Sequence, residues 1–244
     1  MAAICDIHNH ILPGMDDGCS CVEESLAVLT AAAEQGVHHL VATPHYYAQE
    51  SIEDFLCRRQ EAESQLRACL PEDMHLCVGA EVAWFNGISR CERLEALCIG
   101  KSRFLLLELP FAPWDSNLFR ELRNLSHIRG VIPIVAHLER YLPLQTKDAV
   151  KKLLGNDVLV QMNAEYFQRF VTALDARRLF AKGWVQLLGT DCHNMTTRPF
   201  NLGQAMKKMK TLGLEKQLTQ AAALSMEIFE AAMEQGDYAR KEIR

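Results

Sequence analysis

Ile4-Cys5-Asp6-Ile7-His8-Asn9-His10 is a short apolar run that ends in two histidines two residues apart. Strand side chains alternate faces with period two, so on a strand His8 and His10 point the same way. Two imidazoles at one strand end are half of a metal site. Taken alone, an H-x-H pattern is too short to separate that reading from a chance pair near a turn. What ends the other strands decides between them.

Apolar, β-branched-rich runs recur at 4–8, 38–43, 75–80, 104–109, 131–136, 158–163 and 185–190, with helical spacing between most of them. Ser20 and Glu23 stand in capping-box spacing ahead of Val22, Leu26, Leu29 and Ala33, and Gly36 closes that helix. Ser51 opens a second helix over 51–69, with Phe55, Ala62, Leu66 and Cys69 inside. Further helices are expected over 116–126, 146–154, 172–182, 200–211 and 215–234. Strands alternating with helices predict an α/β fold of parallel β/α units. Seven strands at intervals of roughly 30 residues suggest a barrel more than an open sheet. No G-x-G-x-x-G follows the first strand, which argues against a dinucleotide-binding fold.

A chain of 244 residues, 49% of them hydrophobic and without repeats, low-complexity tracts or linkers, is expected to form a single domain over 1–244. A net charge of −5 argues against nucleic acid as a partner, and the one basic cluster, Lys207-Lys208-Lys210, reads as a solvated helix turn. Nine cysteines, without C-x-x-C pairs, suggest reduced thiols in the cytoplasm. No export signal is read at the start, and no apolar run approaches the ~20 residues of a membrane span, so no membrane insertion is expected.

In β/α barrels the active site lies at the C-terminal strand ends. The first strand ends in His8 and His10, followed by Met15-Asp16-Asp17-Gly18. The second ends in Thr43-Pro44-His45, the third in Gly79-Ala80-Glu81 and the fourth in Leu107-Glu108. The fifth ends in Ala136-His137-Leu138-Glu139-Arg140 and the seventh in Thr190-Asp191-Cys192-His193. Five histidines and four carboxylates exceed the three or four ligands of a single zinc and fit two or three ions with bridging carboxylates. Nitrogen and oxygen donors suit Mn²⁺, Fe, Zn²⁺ or Mg²⁺ without choosing among them. Such a centre makes hydroxide from water at neutral pH and clamps the attacking and leaving oxygens of a phosphoryl transfer. Arg140, three residues after His137, and Arg198, five after His193, are placed to hold phosphate oxygens.

Together, His8-Asn9-His10, Met15-Asp16-Asp17-Gly18, Thr43-Pro44-His45, Gly79-Ala80-Glu81, Leu107-Glu108-Leu109-Pro110, Ala136-His137-Leu138-Glu139-Arg140 and Asp191-Cys192-His193-Asn194 resemble the motif series of the PHP phosphoesterase superfamily. Within it, they most resemble the bacterial manganese-dependent protein-tyrosine phosphatases of capsule and exopolysaccharide operons. The resemblance runs from residue 4 to about 210. It implies a distorted seven-stranded (β/α)7 barrel with a trinuclear centre, Mn²⁺ being favoured. By the same resemblance, His8, His10, Glu81 and Asp191 would hold one metal. Glu81 would bridge to a second, held also by Glu108 and His137, and Asp17, His45 and His193 would hold the third. Arg140 and Arg198 match the family's phosphate-binding arginines. The implied reaction is hydrolysis of phosphotyrosine by a metal-bridging hydroxide, and the implied partner is an autophosphorylating tyrosine kinase. The extreme C-terminal helix lacks the Asn-Pro-Arg stretch common near the family's end, which leaves a homo-oligomer open. The alternative is a small-molecule or nucleotide phosphoesterase on the same barrel, and a non-catalytic, metal-stabilised module is the rival of another class.

Cys192 and Arg198 satisfy C-x₅-R, the spacing of cysteine-dependent phosphatases. The intervening residues contain no glycine, and strand alternation would turn Cys192 away from the face shared by Asp191 and His193. His38, His39, His75 and His127 fall at strand starts or in helices and read as structural. Tyr46, Tyr47, Trp84, Phe85, Phe111, Trp114, Tyr141 and Tyr166 fall in the mouth loops, as a wall for a phenolic ring or as loop packing.

Overall fold

The computed structural model describes residues 3–234. Each of the seven apolar runs contains a strand: β1 (Cys5–Asn9), β2 (His39–Ala42), β4 (His75–Val78), β6 (Phe104–Glu108), β7 (Ile132–Val135), β8 (Leu159–Asn163) and β9 (Leu187–Gly189). Two short strands were not expected, β3 (His45–Tyr46) and β5 (Glu81–Ala83). All ladders are parallel, in the orders β1-β2-β4 and β3-β5-β6-β7-β8-β9. β3 follows β2 after Thr43-Pro44, and β5 follows β4 after Gly79-Ala80. Pro44 has no N–H for a ladder, and a Cβ on Gly79 would come within 3.1 Å of Ile99. The sheet bends at these two points and curls. Beyond β9, Cys192 bridges back to Asn9, with the His10 N–H donating to the Cys192 carbonyl at 2.8 Å.

The helices are α1 (Val22–Glu34), α2 (Ile52–Arg67), α3 (Ser116–Asn124), α4 (Leu138–Tyr141), α5 (Lys147–Leu154), α6 (Phe170–Ala181), α7 (Leu202–Thr211) and α8 (Glu215–Met233). Ser51 caps α2 as its spacing predicts, accepting from the Asp54 N–H. The Ser20/Glu23 box does not form. Helix α1 starts one residue later, with Cys21 as its cap, so Glu24 rather than Glu23 reaches back to the Ser20 N–H at 2.7 Å. Among the described residues no helix is long and apolar enough to cross a membrane.

The core has two parts. The larger lies between the sheet and its helices, with Leu40, Leu105, Val135 and Val160 meeting Leu29, Phe55, Leu122 and Leu153. The smaller joins Ile7, Val41, Leu106, Ile134 and Leu187 to Ile228 and Phe229 of α8. Ile7 and His8 are consecutive, yet Ile7 lies in this inner cluster with Leu159, while His8 reaches Gln161, which shares a strand face with Leu159. The β1–β2 register shifts between Asp6 and Asn9, which breaks strict alternation and lets both side chains enter. The same irregularity leaves Asp6 buried, where it accepts from the Thr190 N–H at 2.9 Å and the Thr190 hydroxyl at 2.6 Å.

Candidate metal centre

His8 and His10 leave β1 buried, with their Nε2 atoms 3.3 Å apart. Glu81, at the start of β5, places Oε2 3.1 Å from His8 Nε2 and 3.3 Å from His10 Nε2. Asp191 brings Oδ1 to 3.5 and 3.4 Å from the same nitrogens. These four form one group able to hold a metal ion. A second comprises His10, Asp17, His45 and His193, and a third His45, Glu81 and Glu108, with the ligand atoms in each within 4.8 Å of one another. His137 joins no group of its own, but its Nε2 sits 2.9 Å from Glu81 Oε1 and 3.5 Å from Glu108 Oε1. All nine ligand candidates therefore meet at one end of the sheet. The grouping differs from expectation in two respects: His10 and His45 each face two groups, and His45 rather than His137 stands with Glu81 and Glu108.

Two of the nine are positioned by unusual backbone. His137 has φ +33° and Asp191 has φ +53°, a region that costs a non-glycine residue about 1–3 kcal/mol unless its surroundings impose it. The Gln161 side-chain carbonyl takes the His137 N–H at 2.8 Å, and the His8 carbonyl takes the Asp191 N–H at 2.8 Å. Gly18 is required because a Cβ there would lie 2.2 Å from the His10 carbonyl. That close approach folds the loop so that Asp16 turns in and Asp17 stays 66% exposed beside His193, Oδ1 to Nε2 3.2 Å.

Asp16 is not in any ligand group. Its Oδ2 meets His10 Nδ1 at 2.7 Å and accepts the His45 N–H at 2.8 Å, while Oδ1 accepts the Gly18 N–H at 3.0 Å. Burial would raise its carboxyl, but the His10 contact and the two N–H donors overcome it and hold it at about 2. An occupied Nδ1 fixes the tautomer and leaves Nε2 for the centre. Sequence reasoning missed Gln161 and Asn163 on β8, which carry no ionisable group. Gln161 Oε1 lies 3.2 Å from His8 Nδ1, Gln161 Nε2 donates to Asn163 Oδ1 at 2.9 Å, and Asn163 Nδ2 donates to Asp191 Oδ2 at 2.8 Å. The available signal was two amides at period two in an otherwise apolar strand.

Arg140 and Arg198 both donate to Asp191 Oδ2, the latter at 2.5 Å, and Arg198 Nη1 lies 2.7 Å from His193 Nε2. Burial, and then the charge of Glu81, lifts Glu108 to about 7. Burial, with the charges of His10 and Arg198, lowers His193 to about 4. Burial also lowers His45 and His137, and a neutral imidazole is the form that binds metal. Glu81 Oε2 and His45 Nδ1 are buried without a hydrogen-bond partner although they lie 3.1 Å apart. Such groups are costly in a protein interior, and a cation between them would satisfy both. The donor set and these two orphaned atoms fit a divalent metal.

Cys192 is fully buried, and burial pushes its thiol up, which disfavours the thiolate that a nucleophile needs. Regular alternation is not the reason, since Asp191 departs from strand geometry. The N–H groups of Thr196 and Thr197 are taken by Asn194 Oδ1 at 2.9 and 2.8 Å and are not free for phosphate. His39 stacks on His75 at 4.7 Å, and His38 and His127 pair with Asp73 and Asp157, all outside the ligand groups. Of the mouth aromatics, Tyr46, Trp114 and Tyr141 are buried as packing, and Trp84, Phe85 and Tyr166 are partly buried against the core. Tyr47 and Phe111 are about half exposed and stack on His45 (5.5 Å) and His137 (6.2 Å).

Residues 4–226 match the family model for capsular polysaccharide synthesis, CpsB/CapC. CapC of Staphylococcus aureus is 31% identical over 219 residues, 84% of this chain and 83% of that protein. The tyrosine-protein phosphatase YwqE of Bacillus subtilis is 26% identical over 212 residues, 82% of each chain. The fold matches the crystal structures of YwqE and of CpsB from Streptococcus pneumoniae, described as metal-dependent tyrosine phosphatases. The TM-score is 0.78 at 20% identity, covering 93% of this chain and 95% of that one. A phosphotriesterase from Mycobacterium tuberculosis shares the fold more distantly, at TM-score 0.56 and 12% identity over 97% and 96% of the two chains.

Proposed function

This chain belongs to the CpsB/CapC family of capsular polysaccharide synthesis, and from that premise we propose that it is a metal-dependent protein-tyrosine phosphatase. The observation that carries the reading is the convergence of nine candidate ligand side chains beside two arginines that share one oxygen of Asp191. His8, His10, Glu81 and Asp191 would hold one divalent ion. Glu81, Glu108 and His137 would hold a second, with His45 also within reach of it, and Asp17, His45 and His193 would hold a third, Mn²⁺ being the favoured metal. Bound ions would supply a nucleophile from water at neutral pH and positive charge toward the phosphoryl oxygens.

The chain's own groups do the rest. Arg140 and Arg198 take the phosphoryl oxygens in place of Asp191 and hold them as charge builds in the transition state. Tyr47 and Phe111, half exposed and stacked on His45 and His137, would flank the phenol ring. Asp16, Gln161 and Asn163 are positioning residues that hold His10, His8, His137 and Asp191 in place. We read β2/β3 and β4/β5 as two broken strands, which makes seven stations of a distorted PHP-type barrel. The Asn9–Cys192 bridge between first and last stations supports that reading, and residues 1–244 are taken as one such domain. The substrate is phosphotyrosine on an autophosphorylating kinase of capsule or exopolysaccharide synthesis, met in the cytoplasm.

The test is phosphate release from a phosphotyrosine peptide with Mn²⁺, and again after EDTA treatment and desalting. Activity that disappears with chelation and returns with metal is expected. Activity that survives chelation refutes the metal reading, and hydrolysis of histidinol phosphate or nucleotides in preference to the peptide refutes the substrate.

A further inference from the structure

Two neighbouring cavities lie beyond Arg140. The first, about 310 Å³, is bounded by Arg140 at the centre and by Arg169 and Tyr166 farther out, with Glu139 and Glu165 also in its lining, so the cation excess lies in the second cavity rather than here. The second, about 540 Å³, shares Tyr166 with it and runs between α5 and α6. Lys147 and Lys151 stand one turn apart on α5, and Arg178 and Lys182 one turn apart at the end of α6, so both rows line one groove. Its floor is apolar, formed by Val150, Leu179 and Trp184. The one carboxylate lining it, Asp175, is tied to Arg178 at 3.0 Å. Such a concentration of cations runs against the chain's net charge of −5.

We propose that this groove seats an acidic stretch of the substrate polypeptide adjacent to its phosphotyrosine, so that the enzyme prefers phosphotyrosines with acidic neighbours. The inference rests on the phosphatase reading above. Arg140 lines the first cavity and Tyr166 lines both, so a chain leaving a phosphotyrosine held at Arg140 would pass along the first cavity and over Tyr166 into the groove. An extended chain advances about 3.3 Å per residue with alternate side chains on opposite faces. Acidic groups on one face then meet the two cation rows while apolar groups on the other rest on the floor. A concave channel leading from the centre favours a peptide over a lipid surface, which meets a protein on a broad face. Exposed charge pairs are individually weak and screened by salt, so the preference is a sum over several cations and shrinks as salt rises.

The test compares kcat/KM for the wild type and a Lys147→Glu/Lys182→Glu variant on three substrates: a phosphotyrosine peptide with acidic flanks, one with basic flanks, and free phosphotyrosine. The wild type is expected to favour the acidic peptide about tenfold at low salt. The variant should lose or invert that preference while hydrolysing free phosphotyrosine at the wild-type rate, and Lys147→Gln/Lys182→Gln should fall between. Equal acidic-to-basic ratios in wild type and variant, with free phosphotyrosine turnover intact, overturn the proposal. So does wild-type-specific sedimentation with phosphatidylglycerol vesicles alongside an unchanged peptide ratio. Anisotropy of a labelled, unphosphorylated acidic peptide separates the two readings, because it needs no turnover. Binding lost in the variant supports the groove even if hydrolysis fails, and equal or absent binding counts against it.

Discussion

Asp16→Asn removes a charge that touches no candidate metal position yet orients two of the ligands. Asp16 meets His10 Nδ1 at 2.7 Å and accepts the backbone N–H of His45 at 2.8 Å. Substituting groups that hold metal ligands by hydrogen bonds lowers metal affinity by about 10–100-fold. A shift of His10 is felt widely because its imidazole faces two ligand groups. The variant should therefore need about 10–100-fold more Mn²⁺ for half-maximal activity, with kcat largely recovered at saturating metal. The same contact has a stability signature in the chelated protein. Its carboxyl is held at about 2 against an ordinary 3.8, which is worth roughly 2 kcal/mol by linkage. Because the folded value is depressed, that stability is present in full above about 3.8 and is lost as pH falls through about 2. Urea midpoints of wild type and variant, followed from neutral pH into the acid range, should converge as this contribution disappears. A variant with wild-type metal requirement and an unchanged acid limb would refute the claim that Asp16 holds His10.

Arg140→Lys keeps the charge but loses the fork that grips two oxygens. It should lower kcat/KM on phosphotyrosine peptide by about 10²-fold, with metal content by mass spectrometry unchanged; lost metal would instead make Arg140 structural. Cys192→Ser should leave phosphatase activity within about twofold and cost about 1–3 kcal/mol of stability, from a polar group placed in a buried apolar site, and abolished activity in a folded variant would revive the thiolate route. Phe111→Ala should lower kcat/KM on phenyl phosphate about tenfold relative to an alkyl phosphate, the scale of one aromatic contact. Equal losses on both would show that the ring packs against His137 without touching substrate.

The strands and the ligand types were legible in the sequence for local reasons. Apolar, β-branched runs can bury both faces in a parallel sheet, and the polar residue that ends each run is where such a fold gathers its chemistry. His8, His45, Glu81, Glu108, His137, Asp191 and His193 are readable in that way, one strand end at a time. Gln161 and Asn163 were not, because amides carry no charge to mark them and their role exists only through the backbone of His137 and the carboxylate of Asp191. The different roles of the adjacent Asp16 and Asp17 also have a three-dimensional origin. Gly18 packs against the His10 carbonyl, which turns one carboxylate toward His10 and leaves the other beside His193. Alternation placed His8 and His10 together, but Ile7 enters the same interior because β1 shifts register against β2. Local sequence determined where strands lie and which chemistry stands at their ends, since both follow from the burial and polarity of neighbouring residues. Tertiary structure alone decided which candidate donors come within reach of one another and which groups hold them, because those relations are distances between segments far apart in the chain.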